Sequence, residues 1–276
     1  MSNYLDRPVG AMPPHLAEIY DETSFWSARF GALLLDHLDI RRGISGLDIG
    51  CGTGFPLIEL AHLHGASSRF TGVDVWTEAL ARAGLKLRLH GLDNVALVAA
   101  DVAALPFPDA SFDLLVANLG INNFPDPTAA LRECRRVAKG GARLVLTTNV
   151  QGHFGGLYAL LDDILGELRL KAAREALHRE AAHRLSLDTI AHLLEGSRFA
   201  VSRSFESRFR MRFADGSELL RHSLVQWFLD GWRRAVGNAD EREVFERLEV
   251  RLGAVAGAEG CVAMAVPMLY VEAVAV

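Results

Sequence analysis

The chain has 276 residues, half of them hydrophobic and 23% charged, which is the balance of a folded protein with enough chain for a full core and excludes disorder. A net charge of -5 argues against a dedicated nucleic-acid binder, which carries a basic face. The most apolar run, Cys261 to Val271, is 11 residues long and contains Pro267, against the roughly 20 apolar residues of a membrane span. The three cysteines (Cys51, Cys134 and Cys261) form no CxxC pair, and MSNYLDRPVG lacks the pattern of a signal peptide. Reduced thiols, no metal site and a cytoplasmic location are therefore expected.

Ser24 to Leu38 carries Phe25, Trp26, Phe30, Leu33, Leu34 and Leu38 and predicts an N-terminal helix. Gly46 to Gly50 is short and strand-like and ends in the cluster GCGTG. Pro56 to His64 has helical apolar spacing, and Arg69 to Asp74 is the next strand. Thr77 to His90 predicts a helix with Thr77 as N-cap. Val95 to Ala100, Phe112 to Asn118 and Ala142 to Asn149 are three more strand-like runs. A helix from about Thr128 to Lys139, closed by Gly140 and Gly141, lies between the last two. Near-continuous apolar strands separated by helices predict an α/β fold, with a parallel sheet covered on both faces.

Beyond residue 150 the pattern changes. Leu157 to Leu168 and Ser186 to Glu195 read as amphipathic helices, and Phe199 to Phe213 as extended. Leu220 to Val236 reads as one helix, Glu241 to Leu252 as another, and Cys261 to Val274 as a last strand. The expected organisation is a helical lid segment at 1–45 and a core at 46–276, with helical insertions at about 154–184 and 215–256.

The stretch Leu47-Asp48-Ile49-Gly50-Cys51-Gly52-Thr53-Gly54 carries the chemistry. A glycine turn between strand and helix lets backbone approach a ligand, and the following helix offers N–H groups and its positive dipole end. Asp74 ends the second strand, 20 residues after Gly54, where a carboxylate can accept from both hydroxyls of a ribose. Asp101 follows the third strand and can accept from the amine of a base. The structural alternatives are a helix cap for Asp74 and a solvated loop acid for Asp101. A nicotinamide dinucleotide shares the turn and the ribose acid, but its GxGxxG fingerprint would put glycine where Phe55 stands. Asp48 also suits an ammonium group better than a pyrophosphate.

LDIGCGTG, then VDVW (Val73–Trp76), AADVAALPFPDASFDLLVAN (Ala99–Asn118) and LRECRRVAKGGARLVLTT (Leu131–Thr148) resemble the class I S-adenosylmethionine-dependent methyltransferases. The likeness is to the branch with the ubiquinone and menaquinone biosynthesis enzymes and many small-molecule methyltransferases. It implies a Rossmann-like, seven-stranded, mostly parallel sheet with helices on both faces. It further implies that Gly50, Cys51, Gly52 and Gly54 pass under the methionine part and ribose of S-adenosylmethionine, with Asp48 near its amino group. Asp74 would hold the ribose hydroxyls, Val75 and Trp76 would pack beside the adenine, and Asp101 and Val102 would meet its amine. Asn118 and Leu119 would line the methionine side. The family often has Pro-Gly-Gly before the fifth strand, where Lys139-Gly140-Gly141 stands here. It also often has histidines after the fourth strand, where this chain carries Asn122 and Asn123.

The resemblance implies direct methyl transfer to a small molecule, with alignment as the main catalytic device. Tyr20, Asn122 and His153 are the candidate catalytic residues, His153 as a base near neutral pH. The competing readings are lid packing for Tyr20 and Trp26, turn formation for Asn122, and a plain loop residue for His153. His178 and His183 stand five apart and lack the spacing of a metal pair. Arg208, Arg210 and Arg212 alternate in phase, close to Arg203, and either attract an anionic substrate or form a solvated face. The aromatic and aliphatic N-terminal and late helices point to an apolar or aromatic acceptor. Asn118-Leu119-Gly120-Ile121 stands where base-modifying enzymes carry an Asn/Asp-Pro-Pro-aromatic tetrad, so no nucleic acid is expected. A non-enzymatic S-adenosylmethionine binder, and a methyltransferase acting on protein or RNA, are the alternatives.

Overall fold

The computed structural model describes residues 4–10, 16–23, 25–182, 184–237 and 240–276. Its elements are α1 (Leu16–Ile19), α2 (Ser27–His37), β1 (Ser45–Ile49), α3 (Leu57–His64), β2 (Arg69–Asp74), α4 (Thr77–His90), β3 (Val95–Ala99), β4 (Phe112–Asn118), α5 (Pro127–Val137) and β5 (Ala138–Asn149). They continue with α6 (Gly155–Glu167), α7 (Lys171–Ala182), α8 (Leu187–Gly196), β6 (Phe199–Phe213), α9 (Gly216–Arg221), α10 (Val225–Val236), α11 (Glu241–Glu259) and β7 (Val262–Ala275).

The seven strands form one sheet in the order β3-β2-β1-β4-β5-β7-β6. The first five pair in parallel, and β7 runs antiparallel to β5. Burial along β1, β4 and β5 is nearly continuous, as a sheet covered on both faces requires, whereas the edge strand β3 is half-exposed. The fold class read from the sequence is thus the one observed.

The chain divides into two compact units. One comprises residues 15–149, 186–207 and 268–276 and holds β1 to β5 with α1 to α5 and α8. Its core includes Leu34, Leu57, Leu60, Phe70, Val116, Val145 and Tyr270. The other comprises residues 1–14, 150–185 and 208–267, and holds α6, α7, α9, α10 and α11. There Arg7 pairs with Asp230 at 2.7 Å, and Arg233, buried, pairs with Glu241 at 2.6 Å and donates to the Leu5 and Arg7 carbonyls. Residues 4–10 and helices α1 and α2, one lid segment in the sequence reading, fall in different units.

Several boundaries differ from expectation. Helix α2 begins at Ser27, with Phe25 and Trp26 in a turn; Ser24 lies outside the described residues, as does His183. Thr77 is the first helical residue of α4, and no side chain caps that helix at its N-cap, Trp76. Lys139 to Gly141 lie within β5, where the register to β4 shifts between Phe112 and Leu114. A bulge therefore replaces the expected turn. The single helix expected over Leu220 to Val236 is two, α9 and α10, because the chain leaves helical angles at His222. Helix α11 runs on to Glu259, closed by Gly260 in the left-handed region.

Arg208, Arg210 and Arg212 share the exposed face of β6, with Phe209 and Met211 buried between them. Arg203 instead belongs to a structural network. It donates to Glu272 at 3.0 Å and lies 5.2 Å from the Tyr270 ring centroid, while Arg143 pairs with the same Glu272.

Gly72 on β2 stands opposite Asp48 on β1. A Cβ there would lie 2.5 Å from Leu57 Cδ2 and 2.7 Å from Cys51 Sγ, both on buried residues with no room to move. Gly72→Ala is expected to destabilise the fold by about 1–3 kcal/mol, the range for overpacking. Chemical denaturation checks it, and an unchanged midpoint would contradict this packing.

Candidate cofactor site

The site is built where β1 and β2 end. Gly50 and Cys51 donate to the Val73 carbonyl at 2.9 and 3.0 Å, so the glycine turn is zipped onto the end of β2. Asp74 completes the closure. Its Oδ2 accepts from the Gly52 N–H at 2.8 Å and its Oδ1 from the Trp76 N–H at 2.9 Å. The turn needs glycine because Gly50 and Gly52 have φ of 72° and 50°. No atom stands within 4 Å of where a Gly52 Cβ would be.

A cavity of about 390 Å³ opens over this turn. Of the residues expected at the cofactor, Gly50, Cys51, Gly52, Asp74, Val75, Trp76, Asp101, Val102, Asn118 and Leu119 line it, as does Tyr20. Asp101 also caps a short 3-10 turn by accepting from the Ala103 N–H at 2.9 Å. Asn118 accepts from the Thr147 hydroxyl at 2.7 Å. Leu119 takes φ of 67°, rare for a large side chain and frequent where a site constrains its backbone, and donates to the Thr147 carbonyl at 2.8 Å. Tyr20 meets the Trp76 ring edge-on, with centroids 5.5 Å apart. Burial, then the charges of Asp74 and Asp21, push its phenol above the ordinary range, so Tyr20 serves as a wall rather than a base.

Two turn residues do not reach the cavity. A Cβ on Gly54 (φ of 101°) would lie 3.1 Å from Ile58 and 3.3 Å from Ala83, so helix packing and backbone angle favour its glycine. Asp48 is fully buried beneath the turn, and only the Leu57 backbone N–H, in a poorly formed hydrogen bond, favours its charged form. Burial first and the Asp74 charge second push it up to about 8, with only partial relief from the Leu57 backbone N–H. The start of α3, expected to face an acidic ligand group, acts here on a carboxylate of the chain itself. Burial and the charges of Asp48 and Asp74 also raise the Cys51 thiol, which leaves it an inert turn residue.

The other two catalytic candidates lie elsewhere. Asn122 does not line the cavity; its amide donates to the Thr148 hydroxyl at 2.7 Å and the Asn149 carbonyl at 2.8 Å, tying the loop after β4 to the end of β5. His153 belongs to the other unit and is absent from the lining. It is buried, stacked on Phe154 at 3.9 Å and near Phe228 at 4.8 Å. Burial and the Arg184 charge lower it to about 3, away from the neutral range expected of a base.

Asp21, Ser27, Thr53, Gly120 and Phe124 line the cavity without having been singled out in the sequence. Gly120 carries a legible signal, a glycine just after β4, where a Cβ would meet Phe124 at 3.1 Å and the Ile49 carbonyl at 3.3 Å. Asp21 has none, because nothing local ties it to a turn 30 residues away. Among the described residues no cluster of three or more His, Cys, Asp or Glu could hold a metal, and no helix is long and apolar enough to cross a membrane.

Residues 47–146 match the family model described as a methyltransferase domain. The demethylmenaquinone methyltransferase of Staphylococcus aureus strain MRSA252 is 32% identical over 163 residues, covering 56% of this chain and 65% of that protein. The alignment thus spans just under two thirds of the relative. Among solved structures, the YcgJ protein of Bacillus subtilis has a TM-score of 0.58 at 18% identity, over 90% of this chain and 98% of its own. A SAM-dependent methyltransferase from Aquifex aeolicus has a TM-score of 0.53 at 21% identity, over 70% of this chain and 92% of its own. A methyltransferase domain is thus matched over residues 47–146, and the fold is the one shared with these solved structures.

A pH signature follows from Asp48. Its folded value near 8 lies above the ordinary carboxylate value of about 3.9. Between these pH values the unfolded chain ionises while the folded one keeps its proton, so stability falls as pH rises through that window. Asp48→Asn cannot ionise and is expected to lose less stability than the wild type between pH 5 and pH 8. Parallel denaturation curves for both proteins across that range would contradict the assignment.

Proposed function

We propose that the protein transfers a methyl group from S-adenosylmethionine to a small, apolar or aromatic molecule. The name of the S. aureus relative suggests a quinol-type ring as the acceptor class. The observation that carries the reading is the doubly anchored Asp74 at the mouth of the glycine turn. A carboxylate offers about four lone-pair positions, and two backbone N–H groups use two, leaving two oriented acceptors for a vicinal diol.

The rest of the cavity fits the same ligand. Asp101 keeps acceptor capacity for an exocyclic amine, and Val75 and Val102 supply apolar surface for a flat base. Trp76 and Tyr20 close one wall. Asn118 and Leu119, leaving β4, border the region for the methionine portion. Asp48 contributes from below the turn; its proximity favours a cation above, and a cation above would in turn lower its own raised value. The cavity volume is within the ordinary range for a small-molecule site.

Bound there, S-adenosylmethionine would supply a methyl group on a sulfonium, already activated toward a nucleophile. The chain's residues then have to orient the two partners for in-line displacement and exclude water, and positioning can supply up to about 7–11 kcal/mol. The anchored Asp74 and the constrained Leu119 backbone serve that purpose, and no residue among the candidates need be a base.

Asp74→Ala is expected to weaken S-adenosylhomocysteine binding by about 10- to 150-fold, the loss of charge-assisted hydrogen bonds worth about 1.5–3 kcal/mol. Asp74→Asn keeps the side chain's shape but turns an NH2 donor toward one of the two backbone N–H groups, so it should bind more weakly than wild type and lose some stability at the turn. Calorimetry with S-adenosylhomocysteine and with NAD reads both, and unchanged affinity in the two variants rejects the ribose assignment. Incubation with S-adenosylmethionine and a panel including demethylated quinols should release S-adenosylhomocysteine. Tight binding without turnover on any acceptor would favour a sensor. His153→Gln should leave the pH dependence of turnover unchanged.

A further inference from the structure

The glycine turn is held from a side the family motif does not cover. Asp21 follows Tyr20 in the short 3-10 turn Tyr20–Thr23 after α1, and both residues line the cavity. Its Oδ1 accepts from the Thr53 hydroxyl at 2.7 Å. Its Oδ2 lies 2.7 Å from Lys86 Nζ and 3.7 Å from Arg82 Nε, both on α4. Lys86 also donates to the Thr53 carbonyl at 2.6 Å. Thr53 is thus gripped twice, at its hydroxyl by the N-terminal segment and at its carbonyl by α4, with an ion pair closing the triangle.

We propose that Asp21 is a positioning residue of the cofactor seat: through Thr53 and Lys86 it docks the N-terminal segment on the glycine turn, so the seat is complete only while that ion pair holds. This rests on the methyltransferase reading for the identity of the ligand. Three features support it. The two side chains are largely buried, at 28% and 21% exposure, so the pair is screened less than a surface one. Asp21 meets a hydroxyl with one oxygen and a cation with the other, and the isosteric Asn has only one acceptor oxygen and no charge. Finally, Tyr20, next in the chain, packs on Trp76 beside Asp74, so release of Asp21 frees the aromatic wall as well.

The consequence is kinetic. A seat closed by an ion pair opens for entry and release, so breaking the pair should speed cofactor exit more than it alters entry. Asp21→Asn and Lys86→Met are each expected to raise the S-adenosylhomocysteine off-rate by about five- to tenfold, a partly screened ion pair by magnitude. Lys86→Arg should restore much of the wild-type rate. The double variant should be worse than either single one by less than the sum of the two, because both lose the shared ion pair while the Lys86 bond to the Thr53 carbonyl is separate. Raising salt from 50 to 500 mM should speed release from the wild type and not from the double variant.

Stopped-flow fluorescence of Trp76, which lines the cavity, reads the rates. Hydrogen exchange over residues 16–23 in the ligand-free protein supplies a readout independent of cofactor, with faster exchange expected in both single variants. Wild-type exchange together with wild-type off-rates in Asp21→Asn would overturn the proposal. So would additive effects in the double variant, which would make the two residues independent. If the wild type fails to bind S-adenosylhomocysteine, the cofactor reading falls, while faster exchange in both variants would still show that the ion pair docks the segment on the turn.

Discussion

The site depends on one carboxylate at the end of the second strand. Asp74 accepts from the N–H groups of Gly52 and Trp76, and so fixes the glycine turn on one side and the start of α4 on the other. These structural bonds leave lone pairs on both oxygens of Asp74, so they do not compete with the proposed ligand role of this residue. Its two backbone bonds hold its oxygens where a diol can meet them. A carboxylate free to rotate would have to be ordered by the ligand itself, at a cost in binding.

Electrostatic tension accompanies that arrangement. The charge of Asp74 disfavours that of Asp48, which is buried with only weak help from the Leu57 backbone N–H. An isolated buried acid destabilises the folded state when ionised, so its retention under the turn makes sense if a cation occupies the cavity above. Strain of a second kind sits at Leu119, a large residue at positive φ on the cavity edge. Both features mark the functional end of the sheet, where parallel α/β folds bind their ligands beyond the carboxyl ends of the strands.

Legibility tracked locality. Arg69–Asp74, Thr77–His90, Phe112–Asn118 and Phe199–Phe213 were read to the residue, because each is a continuous periodic run bounded by turn residues. The helices after residue 215 were less clear. Leu220 to Val236 keeps helical spacing through a break that only packing against other helices enforces. At the site, the residues that line the cavity around the turn are legible because a glycine turn and an acid 20 residues later follow from the geometry of one βαβ unit. Residue type and loop position alone single out Asn122 and His153 as catalytic candidates, and neither lines the cavity. Asn122 ties two strand ends together, and His153 lies stacked among aromatic rings.

By itself the sequence determined the α/β class, the strand and helix order over residues 27–149, and the pairing of a glycine turn with an acid at the end of the next strand. Those properties are encoded in short-range periodicity and in glycine's access to positive φ. Only the tertiary structure decided which residues the turn shows to a ligand and which it hides, separating Gly52 from Gly54 and Asp74 from Asp48. It alone brought Asp21 to Thr53 and Lys86, and it moved His153 away from the neutral range. Those outcomes depend on burial and on contacts between segments distant in the chain, and no local pattern carries either quantity.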